Sequence, residues 1–352
     1  FYQSAKTMPM PRTSALRDYT LRRLLLMLPT LLGITFLVFL LCQFVPGGPI
    51  DQMRMRLAGA GDFGETGSTG VHRASSIDIP EADLQSLKRY YGFDQPILLR
   101  YVRYLGNLAT LDLGDSFRYT VPVEDLIVSR FPVSVYFGVI AFLLTYSICI
   151  PLGIVKALRH KSHFDNITSV VIFLGYAIPG YALGAVLLGL FAVQHDWFPL
   201  AGFESQGFAE LSFIGKVQDR IHHTALPVVC YAIHLFAFMT ILMKNSLLEN
   251  MGADYVKTAL AKGMTWKRAV FGHALRNSLI PIATSFGNNI SLILTGSLLI
   301  ERVFGIPGMG LLFFEAITAR DYPVVMGYIF ISSALLLLGN LLSDLCVAIA
   351  DP

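Results

Sequence analysis

The stretch ADYVKTALAKGMTWKRAVFGHALRNSLIP, residues 253 to 281, lies between two long apolar segments and is rich in charged residues. From Glu249 to Arg276 the chain carries seven formal charges. Burying one such charge at the centre of a bilayer costs about 3 kcal/mol. This stretch therefore does not cross a membrane, although the segments on both sides of it are apolar.

Apolar residues recur at helical spacing on both sides of Gly263. Gly263 is typical of the end of a first helix, and Thr265 is typical of the N-cap of a second. The sequence thus predicts a helix, glycine turn, helix hairpin with an exposed apolar strip. Periodicity alone leaves two interpretations open: an amphipathic connector on the membrane surface, or a docking element for a cytoplasmic partner. The residues of the two apolar faces are Tyr255, Ala259 and Leu260, then Trp266, Ala269, Val270 and Ala274.

The overall composition is that of a membrane protein. Of the 352 residues, 54% are hydrophobic and 14% are charged, and the mean hydropathy is +0.58, whereas soluble domains average about 25% charged residues. Crossing a hydrocarbon core of about 30 Å takes roughly 20 apolar residues. Such spans must be helical, because lipid leaves backbone groups unpaired. The sequence therefore predicts an all-α integral membrane protein with six transmembrane helices: Leu24 to Val45, Val133 to Leu158, Thr168 to Val193, Ala225 to Met243, Leu279 to Ile300 and Val324 to Ile349.

Lysine and arginine in short loops set the orientation of the chain, because they favour the cytoplasmic side. They are concentrated at 6–23, 156–161 and 244–276, which places both termini in the cytoplasm. The first span is too long for the apolar region of a signal peptide and no A-x-A-like site follows it, so we expect it to be retained. The predicted organisation is a cytoplasmic tail at 1–23, a first transmembrane helix at 24–46, a periplasmic lobe at 47–131, and a transmembrane core at 132–352 with the cytoplasmic hairpin at 250–278.

The lobe begins with a Gly-rich stretch from Gly59 to Gly70 and then becomes amphipathic. Two helical patterns flank a turn from Gly92 to Pro96. The lobe could be a compact cap on the outer ends of the spans or a docking surface for a substrate-delivery protein, and these interpretations are compatible. The apolar positions of its two helices are Leu84, Leu87 and Tyr91, then Ile97, Tyr101, Leu105 and Leu108.

Some polar and turn residues stand out in or near the spans. Pro179 predicts a bend in the third span, and Phe304 to Gly310 predicts an external bend before the last one. His222 and His223 are expected in a loop, and His234 is expected to be a satisfied core residue. A polar face in the fifth span serves either helix-to-helix hydrogen bonding or a translocation path. Its members are Ser285, Asn288, Asn289, Thr295 and Gly296.

Several function classes are disfavoured. The sequence contains no nucleophile and base arrangement, no metal-ligand set and no Walker loop, so we expect no catalytic residue, no metal and no ATPase site of its own. The four cysteines lie within predicted spans and indicate no disulfide framework. The net charge of +3 is too small to indicate nucleic acid binding. An ion-coupled secondary transporter remains an alternative, but the middle third of each span lacks an acidic residue. The favoured function is a pore-forming subunit that another protein drives.

The runs ALAKG at 259–263 and HALRN at 273–277 resemble the cytoplasmic loop of ABC importer permeases of the oligopeptide and dipeptide branch. Lys257 and Arg276 stand where the general family pattern has Glu and Pro. Further segments resemble the B-type subunit of peptide importers: PGGP at 46–49, YGFDQPI at 91–97, LDLGDSF at 111–117 and GSLLIERVFGIPGMG at 296–310. The Gly-rich insertion and RDYP at 320–323 resemble the Yej-type permeases, whose systems import oligopeptides and the peptide-nucleotide antibiotic microcin C.

This resemblance implies a type I ABC importer permease fold in a bacterial inner membrane. It implies a second homologous permease, cytoplasmic ATP-binding subunits that use ATP and Mg, and a periplasmic substrate-binding protein as partners. Permeases of the same branch for dipeptides or nickel chelates are the alternatives. The implied ATPase-coupling residues are Asp254, Tyr255, Lys257, Thr258, Ala259, Gly263, Thr265, Trp266, His273, Arg276 and Asn277. The candidate path residues are Ser285, Asn288, Asn289 and Thr295.

Overall fold

The computed structural model describes the backbone of residues 12–44, 95–285, 289 and 296–350, with the side chains of 12–16, 234 and 347–350 left out. These ranges are helical and contain no β-strand, which confirms the all-α prediction for the described part of the chain. The α-helices are α1 (Arg12–Phe44), α2 (Ile97–Ala109), α3 (Val123–Leu158), α4 (His163–Ala177), α5 (Gly180–Leu187), α6 (Phe213–Gly252), α7 (Asp254–Ala261), α8 (Trp266–Ala269), α9 (Leu275–Ser278), α10 (Leu298–Phe304), α11 (Met309–Ala319) and α12 (Tyr322–Ala350). Short π-helical turns at Leu188–Gln194 and Val270–Ala274 continue α5 and α8.

The chain divides into two compact units. The first holds the described residues of Phe1–Pro29, Arg130–Leu312 and Ser332–Pro352. The second holds those of Thr30–Ser129 and Phe313–Ile331. In the second unit, Tyr101 on α2 is buried, and its hydroxyl donates to the carbonyl oxygen of Leu32 at 2.9 Å. The amphipathic helix predicted from Ile97 onward is thus confirmed, whereas the first helix of the predicted lobe lies outside the described residues.

Three helices are long and apolar enough to cross a membrane: Arg17–Phe44, Val123–Leu158 and Tyr322–Cys346. Two bent pairs raise this number to as many as five among the described residues, if each pair is one span. These five correspond to five of the six predicted spans. The remaining one, Leu279 to Ile300, is described only in part, so the count of six stays a prediction.

The bend predicted at Pro179 is a complete break. Helix α4 ends at Ala177, Ile178 is extended, and α5 begins at Gly180 at 92° to α4. The residue before a proline is pushed out of the helical region by the proline ring, and Pro179 itself lacks an amide hydrogen. The third span therefore consists of two differently directed segments.

The fourth predicted span, Ala225 to Met243, lies within a longer helix. Helix α6 begins at Phe213, well before Ala225, because the Ser212 hydroxyl caps it by accepting from the amide of Gly215 at 3.2 Å. His222 and His223 therefore lie within a helix and not in a loop.

The fifth span does not run as a helix to Ile300. Gly296 has a φ of +76° and Ser297 is extended, so a new helix, α10, begins at Leu298. Gly296 therefore does not share a helical face with Ser285. The bend predicted over Phe304 to Gly310 is shorter than expected, because Phe304 ends α10 and Met309 already begins α11. The sequence patterns did not separate α11 from the last span.

Candidate functional site

The first helix of the hairpin, α7, ends as its sequence predicts. Gly263 has a φ of +87°. The amide of Met264 donates to the carbonyl oxygen of Ala259 at 3.1 Å, and the amide of Gly263 donates to that of Leu260 at 2.9 Å. This pair of bonds is a Schellman motif, which requires a left-handed residue at the glycine position. The turn of the hairpin is therefore built by Gly263.

The second helix begins at the predicted position. Thr265 is the N-cap residue, but its side chain makes no capping hydrogen bond, and its carbonyl oxygen accepts from the amide of Ala269 at 3.0 Å. Helix α8, the π turn and α9 follow one another without a break up to Ser278. A π turn adds a residue to the helical repeat, so the faces before and after it are rotated relative to a regular helix.

The predicted exposed apolar strip is confirmed for some of its members and wrong for three others on the second helix. Ala269, Val270 and Ala274 are buried, as is Val256 on α7. They pack in one cluster with Met243 and Leu247 of α6 and with residues of α3. This part of the strip is thus covered by the chain's own long helix, which periodicity could not reveal. Trp266, Tyr255 and Leu260, which belong to the same predicted strip, are exposed as expected.

The outer face of the hairpin carries the predicted coupling residues. Not one of the eleven is buried, and all but Ala259 and Asn277 are exposed. The exposed apolar side chains of this face are Tyr255, Leu260 and Trp266 of the predicted strip, together with Phe271. The hairpin therefore presents a mixed apolar and basic surface on a buried base.

Two bonds stiffen this surface at the start of α7. Lys257 Nζ lies 2.9 Å from Asp254 Oδ1, and this hydrogen bond, together with the charge of Lys257, lowers the pKa of the Asp254 carboxyl. The Tyr255 hydroxyl donates to Asn250 Oδ1 at 2.6 Å. The Asp254 and Lys257 side chains are 95% and 66% exposed, so their pair contributes little to stability.

Hydrogen bonds also connect the hairpin to α6 at its other end. The Ser246 hydroxyl donates to the carbonyl oxygen of Ser278 at 3.1 Å, and Ser278 Oγ lies 3.2 Å from the carbonyl oxygen of Ser246. Both serines are buried. With the apolar cluster, these hydrogen bonds hold the hairpin against α6.

A buried charge cluster next to this base was not predicted. The Asp165 carboxylate at the start of α4 receives Lys244 Nζ of α6 at 2.7 and 2.8 Å and Lys156 Nζ of α3 at 3.1 Å. Lys156 is fully buried and also donates to the hydroxyls of Thr168 and Ser169. One carboxylate thus joins three helices. The pattern Ser162-x-x-Asp165, a helix-start signal, could have drawn attention to it.

A second buried carboxylate organises the segment 296–311. Glu301 is fully buried, and its oxygens accept from the hydroxyls of Ser134 and Tyr231 at 2.9 Å each and from the amide of Leu311 at 2.8 Å. A Cβ atom on Gly308 would lie 2.6 Å from this carboxylate. In the sequence GSLLIERVFGIPGMG, the glycines on both sides of Glu301 were the available sign that the backbone approaches this side chain closely.

The described path candidates bond within the protein. Ser285 donates to the carbonyl oxygen of Pro281 at 3.0 Å in its own helix, and buried Asn289 donates to the Tyr146 hydroxyl at 2.9 Å. The second bond is the helix-to-helix kind. Asn288 and Thr295 lie outside the described residues, as does the side chain of His234.

Within the described part of the chain, no group of three or more His, Cys, Asp or Glu side chains could hold a metal ion. His222 Nε2 instead lies 2.6 Å from the carbonyl oxygen of Trp197, and His223 Nδ1 lies 2.9 Å from that of Asp219. Both rings thus have a local partner within the protein.

The fold and the hairpin define a helical, multi-span membrane subunit with a rigidly held surface element between spans. Residues 149–352 match the family described as binding-protein-dependent transport system inner membrane component, and the chain belongs to this family. The resemblance to ABC importer permeases is thereby confirmed.

Similar proteins cover almost the whole chain. The peptidoglycan transport system permease protein YejB of Agrobacterium fabrum is 40% identical over 95% of this chain and 97% of its own length. The inner membrane ABC transporter permease protein YejB of Escherichia coli O157:H7 is 39% identical, with the same coverage. The oligopeptide transport system permease protein AppB of Bacillus subtilis is 34% identical over 95% of this chain and 98% of its own length.

Proposed function

We propose that this chain is the pore-forming permease subunit of an ATP-driven importer of oligopeptides. The substrate class is proposed from similarity to permeases that are named for oligopeptide and peptidoglycan transport. This similarity covers 95% of the chain. The partners in this proposal are a second homologous permease, cytoplasmic ATP-binding subunits that use ATP and Mg, and a periplasmic binding protein. Microcin C, dipeptides and nickel chelates are the narrower alternatives for the substrate.

The hairpin 250–278 is, in this proposal, the element that docks on the ATP-binding subunit. Its exposed outer face supplies the contact, since Trp266 and Phe271 are the kind of aromatic anchors that dominate protein interfaces. Its buried base transmits force, because Val270 and Ala274 pack directly against the long helix α6. Closure of the ATPase pair would then tilt the spans between two states as rigid bodies.

Two measurements test the assembly and the substrate. Affinity purification of the chain in mild detergent should co-elute an ATP-binding subunit and a second permease. Uptake of labelled oligopeptides, dipeptides and cell-wall peptides, together with microcin C sensitivity, should rank the substrates with oligopeptides first. Ion-driven uptake without these partners would instead support a secondary transporter.

Reaction of a Thr258→Cys variant with an impermeant thiol reagent outside intact cells would overturn the cytoplasmic placement of the hairpin.

Trp266→Ala should weaken docking on the ATP-binding subunit by about tenfold or more, as expected when a central aromatic anchor is truncated. The measurement is the concentration of ATP-binding subunit that gives half-maximal formation of its complex with the permease and half-maximal peptide-stimulated ATP hydrolysis. Lys257→Ala is the matched control within the hairpin and should reduce uptake by less than about twofold, because its ion pair is exposed. Trp197→Ala controls for loss of a half-exposed tryptophan elsewhere. Equal effects of the three changes would contradict the docking role.

Gly263→Pro should leave the chain inserted and folded but abolish coupling of ATP hydrolysis to uptake. Proline fixes φ near −65° and lacks an amide hydrogen, whereas Gly263 has a φ of +87° and donates to Leu260. The turn angle of the hairpin would therefore change. Gly263→Ala keeps the amide and costs only about 1 kcal/mol of local strain, so it should retain most uptake. Wild-type transport by the proline variant would show that the turn does not transmit motion.

A further inference from the structure

The first three turns of α6, residues 213–224, have an uncovered apolar side, and we call this stretch the outer segment. Phe213 is 82% exposed, Ile214 68% and Ile221 60%, and Val217 between them is also exposed. These positions share one side of a helix at spacings of three and four residues. Together they form one continuous apolar stripe on this side of the helix.

The charged side of the outer segment is already occupied. Arg220 Nη2 lies 2.7 Å from Glu204 Oε2, and the Arg220 guanidinium carbon lies 3.6 Å from the ring centre of Phe203. Asp219 accepts from the amide of Ser205 at 3.0 Å. The chain's own loop at 203–208 thus covers the polar side of the outer segment and leaves the apolar side open.

The length of α6 places the outer segment beyond the hydrocarbon core. A helix of 40 residues is about 60 Å long, roughly twice the thickness of a hydrocarbon core of about 30 Å. The hairpin follows the C-terminal end of α6, so the part of α6 that precedes the predicted span at Ala225 lies at the opposite membrane face. The two halves of α6, Phe213–Ile233 and Leu235–Gly252, are bent by 46° relative to each other, so the outer segment does not continue straight along the second half.

Exposed aromatic and aliphatic side chains near the outer segment also favour a position at the membrane interface. Trp197 is more than half exposed, and its carbonyl oxygen lies 2.6 Å from His222 Nε2 of the outer segment. Tryptophan is enriched at membrane interfaces, where its ring is half in apolar surroundings and its N–H in polar ones. Leu200 in the same connection is also exposed.

We infer that the outer segment is an interfacial helix that lies with Phe213, Ile214, Val217 and Ile221 in the headgroup and acyl boundary of the leaflet opposite the hairpin. The partner is a lipid surface, and the segment anchors the outer end of α6 to it. A docked protein is less well matched, because a protein interface surrounds its apolar core with available polar groups and the charged groups here are used internally. The inference does not depend on which substrate the importer carries.

The test uses the full chain with Cys42, Cys149, Cys230 and Cys346 replaced by alanine, a single Cys introduced by Ile214→Cys, and an environment-sensitive fluorophore attached to it. The matched control is Lys216→Cys in the same turn, on the charged side. Both are reconstituted in vesicles of phosphatidylethanolamine and phosphatidylglycerol, with or without lipids brominated near the headgroup. The label at 214 should be blue-shifted and quenched by brominated lipid at least about twofold more than the label at 216.

Equal quenching at the two positions would overturn the inference. A blue-shifted label at 214 that brominated lipid does not quench would also overturn it, because the cover would then be protein, such as the segment 45–94 or the binding protein. Two of the replaced cysteines, Cys149 and Cys230, are buried, so a second measurement keeps all four. With Trp266→Phe, Trp197 is the remaining tryptophan of the chain, and its emission should be quenched by the same brominated lipid. Emission unaffected by bromination would count equally against interfacial placement.

Discussion

Asp165→Ala is expected to destabilise the protein by about 3 kcal/mol, the lower end of the cost of breaking a buried ion pair. The change would leave Lys156, which is fully buried, and Lys244 without their shared carboxylate. The lower end applies because the Lys244 side chain keeps 14% of its surface exposed and retains some hydration. The measurement is thermal unfolding of the purified protein in mild detergent, which is monitored through the loss of folded monomer.

Asp254→Ala is the matched control for this prediction. Asp254 is also paired with a lysine, but it is almost fully exposed, so its removal should leave thermal unfolding unchanged. Indistinguishable unfolding of the two variants would show that the Asp165 cluster does not hold the helices together.

A triple variant separates charge from packing. Replacing Lys156 and Lys244 by methionine keeps their approximate volume, and replacing Asp165 by leucine, a larger side chain, removes the third charge. Buried ion pairs replaced in this way are often as stable as the original, so the triple variant should recover most of the stability lost in Asp165→Ala. Failure to recover would place the role of Asp165 in its hydrogen bond to the amide of Lys161 and not in its charge.

Peptide uptake should fall in Asp165→Ala beyond the loss of folded protein. Lys244 is adjacent in the chain to Met243, whose side chain packs against the base of the hairpin. The cluster therefore joins α4 to the same part of α6 that receives the hairpin. Motion of the hairpin would reach α6 but pass less completely to α4 when the carboxylate is absent.

The hairpin itself could be predicted because its signals are local. Gly263 ends one helix through its own backbone conformation, and the charges around it exclude a span. The buried face could not be predicted, because Ala269 and Val270 are covered by Met243 and Leu247 from a different helix. Periodicity indicates that a helix has an apolar side, but not what covers it.

The two buried carboxylates were missed for a related reason. Lys156, Asp165 and Lys244 come from three helices, and only their assembly in space makes a cluster. Each alone looks like a charge at the end of a span. Glu301 likewise lies close to the end of a predicted span, and Ser134 and Tyr231, which donate to it, are distant in sequence. The presence of a helix can thus be predicted from residues close together in sequence, whereas a polar network cannot, because its members come from distant parts of the chain.

Glu301→Ala is expected to cost about 3 kcal/mol or more, because each buried donor left without an acceptor costs about 1 to 3 kcal/mol. The backbone amides of Ser297 and Leu311 and the hydroxyls of Ser134 and Tyr231 all donate to this carboxylate. Glu301→Gln keeps one acceptor oxygen and should lose less. Thermal unfolding in detergent measures the difference, and Glu210→Ala, at an exposed position, should be neutral.

Gly308→Ala tests the same centre without removing the carboxylate. Its Cβ would lie 2.6 Å from Glu301 Oε2 and 2.6 Å from Ser134 Oγ, so the carboxylate would have to move away from its donors. Gly189→Ala is the control, because a Cβ there meets nothing within 4 Å. If Gly308→Ala unfolds at the temperature of Gly189→Ala while Glu301→Ala does not, the glycine is not required for the close approach. If all three match the parent, the carboxylate does not organise this segment, because the donors must then find other acceptors at no cost.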